Sequence, residues 1–172
     1  MNRTARVGRK AVVLICALAL GPVLTGCAKG HTTSNAAASD ASSGLTTYNI
    51  SVQKFKYSGF PDSIKSGPAL FAFSNHETFP IVHELVVVGL PAGKSAQDVI
   101  NDAKQKGDKS EDDWLHFGEI AEVSTGATIA GVFSLPPGTY AMACWQSGTP
   151  EGKPEGGPNH LTIGMIHQFT VT

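Results

Sequence analysis

Apolar and polar side chains alternate along residues 48–57 (YNISVQKFKY), the period-two pattern of an extended segment with one covered face. The same reading predicts strands over residues 69–75 (ALFAFSN), 120–124, 128–135, 139–145 (TYAMACW) and 166–172 (IHQFTVT). Residues 82–90 (VHELVVVGL) are almost continuously apolar and end at Pro91, which predicts a strand covered on both sides or at a core edge. Gly67-Pro68 and Pro136-Pro137-Gly138 supply turn signals between these runs. One stretch breaks the pattern. Ser95 is placed to cap a helix over Ala96–Lys106, with Asp98 in its first turn, lysines in its last, and Val99, Ile100 and Ala103 on one stripe. The acidic run Glu111, Asp112 and Asp113 then reads as a solvated connection. Short strands at this spacing predict an all-β sandwich or barrel with one short inserted helix.

The N-terminus has a different character. Arg3, Arg6, Arg9 and Lys10 precede an apolar run at residues 11–20, and Leu-Thr-Gly-Cys follows at residues 24–27. A basic start, a short apolar run and small residues at a cleavage point form a secretory signal, and the run is far below the ~20 residues of a membrane-spanning helix. The Leu-Thr-Gly-Cys motif matches a lipobox. Residues 1–26 are therefore expected to be a lipoprotein signal peptide, with Cys27 lipidated after cleavage and the chain anchored on the extracytoplasmic face of a cell membrane. Residues 27–46, rich in Ala, Ser and Thr, read as a lipidated flexible tether, and residues 47–172 as a single folded domain. Removing the signal takes away every arginine and leaves nine lysines against fourteen acidic residues, a net charge of −5. That balance argues against a nucleic-acid partner.

Cysteine usage narrows the chemistry. Of three cysteines, Cys16 lies in the signal, Cys27 is the lipidation site, and Cys144 is alone in the domain. A lone thiol in an exported domain is a buried hydrophobe, a reactive group, an intermolecular partner or a metal ligand. Its companions favour the last. His83, Cys144, His160 and Met165 provide two imidazoles, a thiolate and a thioether, the donor set of a mononuclear blue-copper site cycling between Cu(I) and Cu(II). Taken singly, a Cys at a strand end and a Met before a last strand are as readily core residues.

Three stretches resemble the cupredoxin family. They are FAFSNHETFPIVHELVVV around the first histidine, LPPGTYAMAC leading to the cysteine, and HLTIGMIHQFTV with its His-x4-Met spacing and final strand. The resemblance implies a Greek-key β-sandwich, His83, Cys144, His160 and Met165 as ligands of one type 1-like copper, and an electron carrier rather than an enzyme. It further implies that Asn75 steadies the cysteine loop, that His160 is the ligand nearest solvent, and that Leu161, Ile163 and loop prolines form an apolar docking patch. The chain departs from the family in one respect. Fifteen residues, four of them Gly and three Pro, separate Cys144 from His160 where the family has only a few. Among the other histidines, His76 is placed near the site, His116 reads as a surface or a satisfied core residue, His167 as a surface residue, and Glu84 as a structural hydrogen-bonding group. The function expected is electron transfer or copper handling by a membrane-anchored monomer with a redox partner protein. The alternative is a metal-free binding module on the same fold. One cysteine is too few for a binuclear copper centre.

Overall fold

The computed structural model describes residues 44–148 and 157–172. The signal segment, Cys27, most of the tether and the middle of the Gly/Pro loop lie outside the described residues. The strands are β1 (Thr46–Gln53), β2 (Lys56–Ser58), β3 (Ser63–Ile64), β4 (Gly67–Asn75), β5 (His83–Gly89), β6 (Leu115–Val123), β7 (Thr128–Leu135), β8 (Gly138–Ala143) and β9 (Ile166–Val171), with helix α1 (Ala96–Lys106) between β5 and β6. They form two mixed sheets, ordered β2-β1-β4-β7 and β3-β9-β8-β5-β6, with parallel pairs at β1–β4 and β3–β9. The sandwich with one inserted helix expected from the sequence is borne out. No described helix is long and apolar enough to cross a membrane.

Alternation decides which side chains fill the sandwich. Ile50, Val52, Phe71 and Phe73 from one sheet meet Leu85, Val87, Tyr140, Met142 and Phe169 from the other, and Phe71 stacks on Phe133 with ring centroids 4.5 Å apart. Each such fully buried side chain contributes roughly 1.5–3 kcal/mol relative to exposure. The opposite face of β5 is covered as well. Val86 and Val88 join Ala141, Ala143, Trp145 and Leu161 beneath Val99 and Ala103 of α1. This double coverage explains the unbroken apolar run in β5. The helix begins where expected, with the Ser95 backbone N–H donating to Asp98 Oδ2 at 2.9 Å.

Three boundaries differ from the sequence reading. The strand expected over residues 48–57 is a hairpin, because Lys54 (φ 53°) and Phe55 (φ 57°) turn the chain through the left-handed region between β1 and β2. β6 starts at Leu115 rather than at residue 120, and its pairing with β5 shifts register twice, so no clean alternation marks it. The acidic connection winds into a 3-10 stretch at Gly107–Asp113.

Register brings three chain segments to one end of the sandwich. Ala143 pairs with Val86 of β5 and with Ile166 of β9. Cys144, one residue beyond β8, therefore lies at the same end as His83, which opens β5, and Met165, which precedes β9.

Candidate metal centre

His83 shares a face of β5 with Leu85 and Val87 and so points into the sandwich, whereas Glu84 points the other way, with Val86 and Val88. Cys144 follows Met142 onto the inner face. His160 opens a 3-10 turn, His160–Ile163, that leads into Met165. Backbone hydrogen bonds knit these segments together: the Cys144 N–H donates to the Met165 carbonyl (3.1 Å), the Leu161 N–H to the Cys144 carbonyl (2.9 Å), and the Met165 N–H to the His160 carbonyl (3.0 Å).

Three donor atoms converge. Nδ1 of His83 and Nδ1 of His160 are 3.1 Å apart, and Sγ of Cys144 lies 3.8 Å from the first and 3.4 Å from the second. A point inside this triangle stands about 2 Å from all three atoms, the length of a metal–imidazole bond. Met165 is fully buried in the same core cluster as Cys144. Two imidazoles, a thiol and a neighbouring thioether in a trigonal arrangement fit a type 1 copper site.

The surroundings keep this cluster uncharged. Burial, reinforced by neighbouring His160, lowers the pKa of His83 to about 3, and burial lowers that of His160 to about 4. Burial also pushes the Cys144 thiol well up, and the Glu84 carboxylate adds to the rise. A cation placed among the three donors reverses that logic, because a coordinating thiol gives up its proton.

Several site residues escaped the sequence reading. Phe55, at the tip of the β1–β2 turn, packs its ring edge-on against His83 (centroids 5.4 Å apart) and His160 (4.8 Å). A bulky residue in the left-handed region is uncommon, and this one is held by its N–H donating to Glu77 Oε1 at 2.7 Å. The role expected of Asn75 is corrected. Its Nδ2 donates to the carbonyls of Ile81 and Val123, each at 2.9 Å, and its Oδ1 accepts the Glu77 N–H at 2.9 Å. Asn75 thus fixes the segment that delivers His83, not the cysteine loop.

The cysteine loop is held by Glu84 instead. Its Oε1 accepts the Trp145 N–H (2.6 Å), its Oε2 accepts Gln146 Nε2 (2.9 Å), and its own N–H points at Sγ of Cys144 (3.5 Å). Burial raises the pKa of the Glu84 carboxyl, while these hydrogen bonds oppose the rise. Glu84→Ala would strip a buried N–H of its acceptor, and a loss of about 2–3 kcal/mol is expected in denaturant unfolding of the metal-free protein. Glu84→Gln, which keeps an acceptor for Trp145, is expected to lose less. Equal stability of Glu84→Ala and wild type would contradict this role.

The long excursion after Cys144 is closed at its base. Ser147 and Asn159 form an antiparallel bridge, the His160 N–H donates to the Gln146 carbonyl at 2.9 Å, and Asn159 Nδ2 donates to the Trp145 carbonyl at 2.7 Å. His160 is 2% exposed while His83, Cys144 and Met165 are fully buried, so it is the ligand nearest solvent but scarcely reaches it, and Leu161 is fully buried rather than part of a surface patch. His76 is exposed. His116 lies at the surface with Nε2 at 3.1 Å from the Glu111 carbonyl. His167, expected at the surface, is half-buried against Phe60.

No protein-family model and no curated protein sequence matches this chain. Solved structures do. A reduced auracyanin from Roseiflexus castenholzii is 22% identical, with a TM-score of 0.52 over 74% of this chain and 97% of its own. Auracyanin B is 20% identical, with a TM-score of 0.51 over 74% and 88%. Auracyanin A of Chloroflexus aurantiacus, described as a "blue" copper protein, is 16% identical, with a TM-score of 0.50 over 75% and 100%. The domain has the cupredoxin fold.

Proposed function

We propose that this protein is a copper-binding electron carrier, anchored through a lipid at Cys27 on the extracytoplasmic face of a membrane. The observation that carries the reading is the triangle of His83 Nδ1, His160 Nδ1 and Cys144 Sγ, with edges of 3.1, 3.4 and 3.8 Å and Met165 beside it. When bound, copper supplies a one-electron Cu(I)/Cu(II) couple, held by the two imidazoles and the thiolate with the thioether as a weak fourth ligand. The chain's contribution is rigidity and dryness. β5, β8 and the turn before β9 fix the donors through backbone hydrogen bonds, so a change of oxidation state meets a geometry already set. Phe55 covers both imidazoles from the β1–β2 turn.

The anchor is supported by the basic start, the short apolar run and the Leu-Thr-Gly-Cys motif. The polar tether gives the domain reach from the membrane surface. Phe79 (88% exposed) and Ile163 (38%) sit on the segments that deliver His83 and His160, and they offer apolar surface to a redox partner protein. Weak redox encounters bury less than about 1,200 Å² in total, which suits a monomeric carrier with a small patch. This assignment makes the protein a carrier and not an enzyme.

Addition of Cu(II) to the metal-free protein is expected to give an intense visible thiolate-to-copper band, bleached reversibly by a reductant and absent in Cys144→Ser. A colourless protein that binds neither Cu(II) nor Cu(I) would overturn the reading. Tight Cu(I) binding without a reversible coloured Cu(II) form would redirect it to copper storage or delivery through the same ligands.

A further inference from the structure

Glu77 lies six residues before His83, in the segment between β4 and β5, and its side chain is 8% exposed. It is held at both ends. Oε1 accepts the Phe55 N–H at 2.7 Å, and the Glu77 N–H donates to Asn75 Oδ1 at 2.9 Å. So fixed, Oε1 stands 3.7 Å from Nε2 of His83. That separation is longer than a hydrogen bond. It is also no ion pair, because burial and the neighbouring His160 keep His83 neutral.

The tautomer gives the contact its meaning. Nδ1 of His83 faces Nδ1 of His160 and Sγ of Cys144. An imidazole that ligates through Nδ1 carries its proton on Nε2. In His83 that atom is buried and has no hydrogen-bond partner among the described residues, and the carboxylate beside it is Glu77. A buried N–H left without an acceptor is costly. Ligating histidines commonly pass their second N–H to a carboxylate, which fixes the ring and raises its basicity.

We propose that Glu77 is a positioning residue of the metal centre: with copper bound, the gap to its carboxylate closes, so that it accepts the Nε2–H of His83 and biases the centre towards Cu(II) over Cu(I). The proposal rests on the copper-binding reading above. A more basic imidazole and a nearby negative charge in a low-dielectric setting both favour the more highly charged metal state. Glu77 also staples the Phe55 turn, and a purely structural role would end there.

Glu77→Gln separates the two roles, since its amide oxygen still accepts the Phe55 N–H while the charge is gone. The test compares the intact wild-type chain with Glu77→Gln. Cu(I) affinity is measured by competition with a chromophoric chelator, Cu(II) affinity by visible titration, and the potential by equilibration with redox mediators. The expected result is a small fall at most in the melting temperature of the metal-free protein and a Cu(II)-to-Cu(I) affinity ratio about tenfold lower, a potential raised by about 59 mV for one electron. An unchanged ratio and potential would overturn the role of Glu77 and leave copper binding intact. Failure of the wild type to bind copper would overturn the reading itself, and this proposal with it. A second measurement needs no variant. NMR of the Cu(I)-loaded wild type is expected to place the His83 ring proton on Nε2, hydrogen-bonded and slow to exchange, and a free, rapidly exchanging proton there would overturn the proposal.

Discussion

Copper is expected to raise the melting temperature of the metal-free protein by on the order of 10 °C, and Cys144→Ser is expected to abolish that gain. A ligand that binds only the folded state stabilises it by about 4 kcal/mol when present at a thousand times its dissociation constant. For domains of this size each kcal/mol moves the midpoint by roughly 2–8 °C. The unfolded chain competes poorly for the metal, because His83 and Cys144 are 61 residues apart in sequence and Cys144 and His160 are 16 apart. Folding brings these atoms together. Serine nearly matches the shape of cysteine but offers a hard hydroxyl that does not ionise, so the soft ligand is lost with little change in packing. Scanning calorimetry of both proteins, with and without copper, measures the difference. An equal gain in the variant would remove Cys144 from the ligand set.

Acid is expected to unfold the metal-free protein progressively below about pH 6.5. His83 and His160 have folded-state pKa values lowered to about 3 and about 4, against an ordinary value near 6.5 in the unfolded chain. Between these limits the unfolded state binds more protons, so stability is complete above about pH 6.5 and is lost as pH falls through the folded values. The steepest slope is about 1.4 kcal/mol per pH unit for each histidine. Glu84 acts in the opposite sense. Its folded pKa is raised, so its contribution is present at low pH and is lost as pH rises through that value. Cys144 is raised as well, so the domain loses stability again above about pH 8.5, where the unfolded thiol ionises. Denaturant unfolding at stepped pH should therefore show a plateau with both an acid and an alkaline limb. His160→Phe is expected to flatten the acid limb, and an unchanged limb would contradict the assignment.

What the sequence disclosed depended on whether the cause was local. The apolar run of β5 was read as a strand covered on both sides or at a core edge, of which the first holds, and Ser95 with Asp98 marked the start of α1. His83, Cys144 and His160 were legible as a donor set through their joint order and motif context rather than through residue type alone, and the fold brings their donor atoms together. The β1–β2 turn was not legible. Lys54-Phe55 contains none of the Gly, Asn or Asp that usually signal a tight hairpin, and its conformation depends on Glu77, twenty-two residues away. Asn75 and Glu84 were both recognised as polar groups with structural work, yet it is Glu84 and not Asn75 that holds the cysteine loop. A side chain's partner is fixed by tertiary packing, and Ile81, Val123 and Trp145 are not its neighbours in sequence. The extent of β6 was hidden by its register shifts against β5.

The bridge between Ser147 and Asn159 changes what the length of the intervening loop means. With Gln146 and His160 joined by a backbone hydrogen bond, the chain leaves and re-enters the domain through one narrow gate. The spacing of Cys144 and His160 in space is set at that gate, so residue count along the loop no longer governs the ligands. Segments of other lengths or compositions spliced between these gateposts are therefore expected to leave the donors in place.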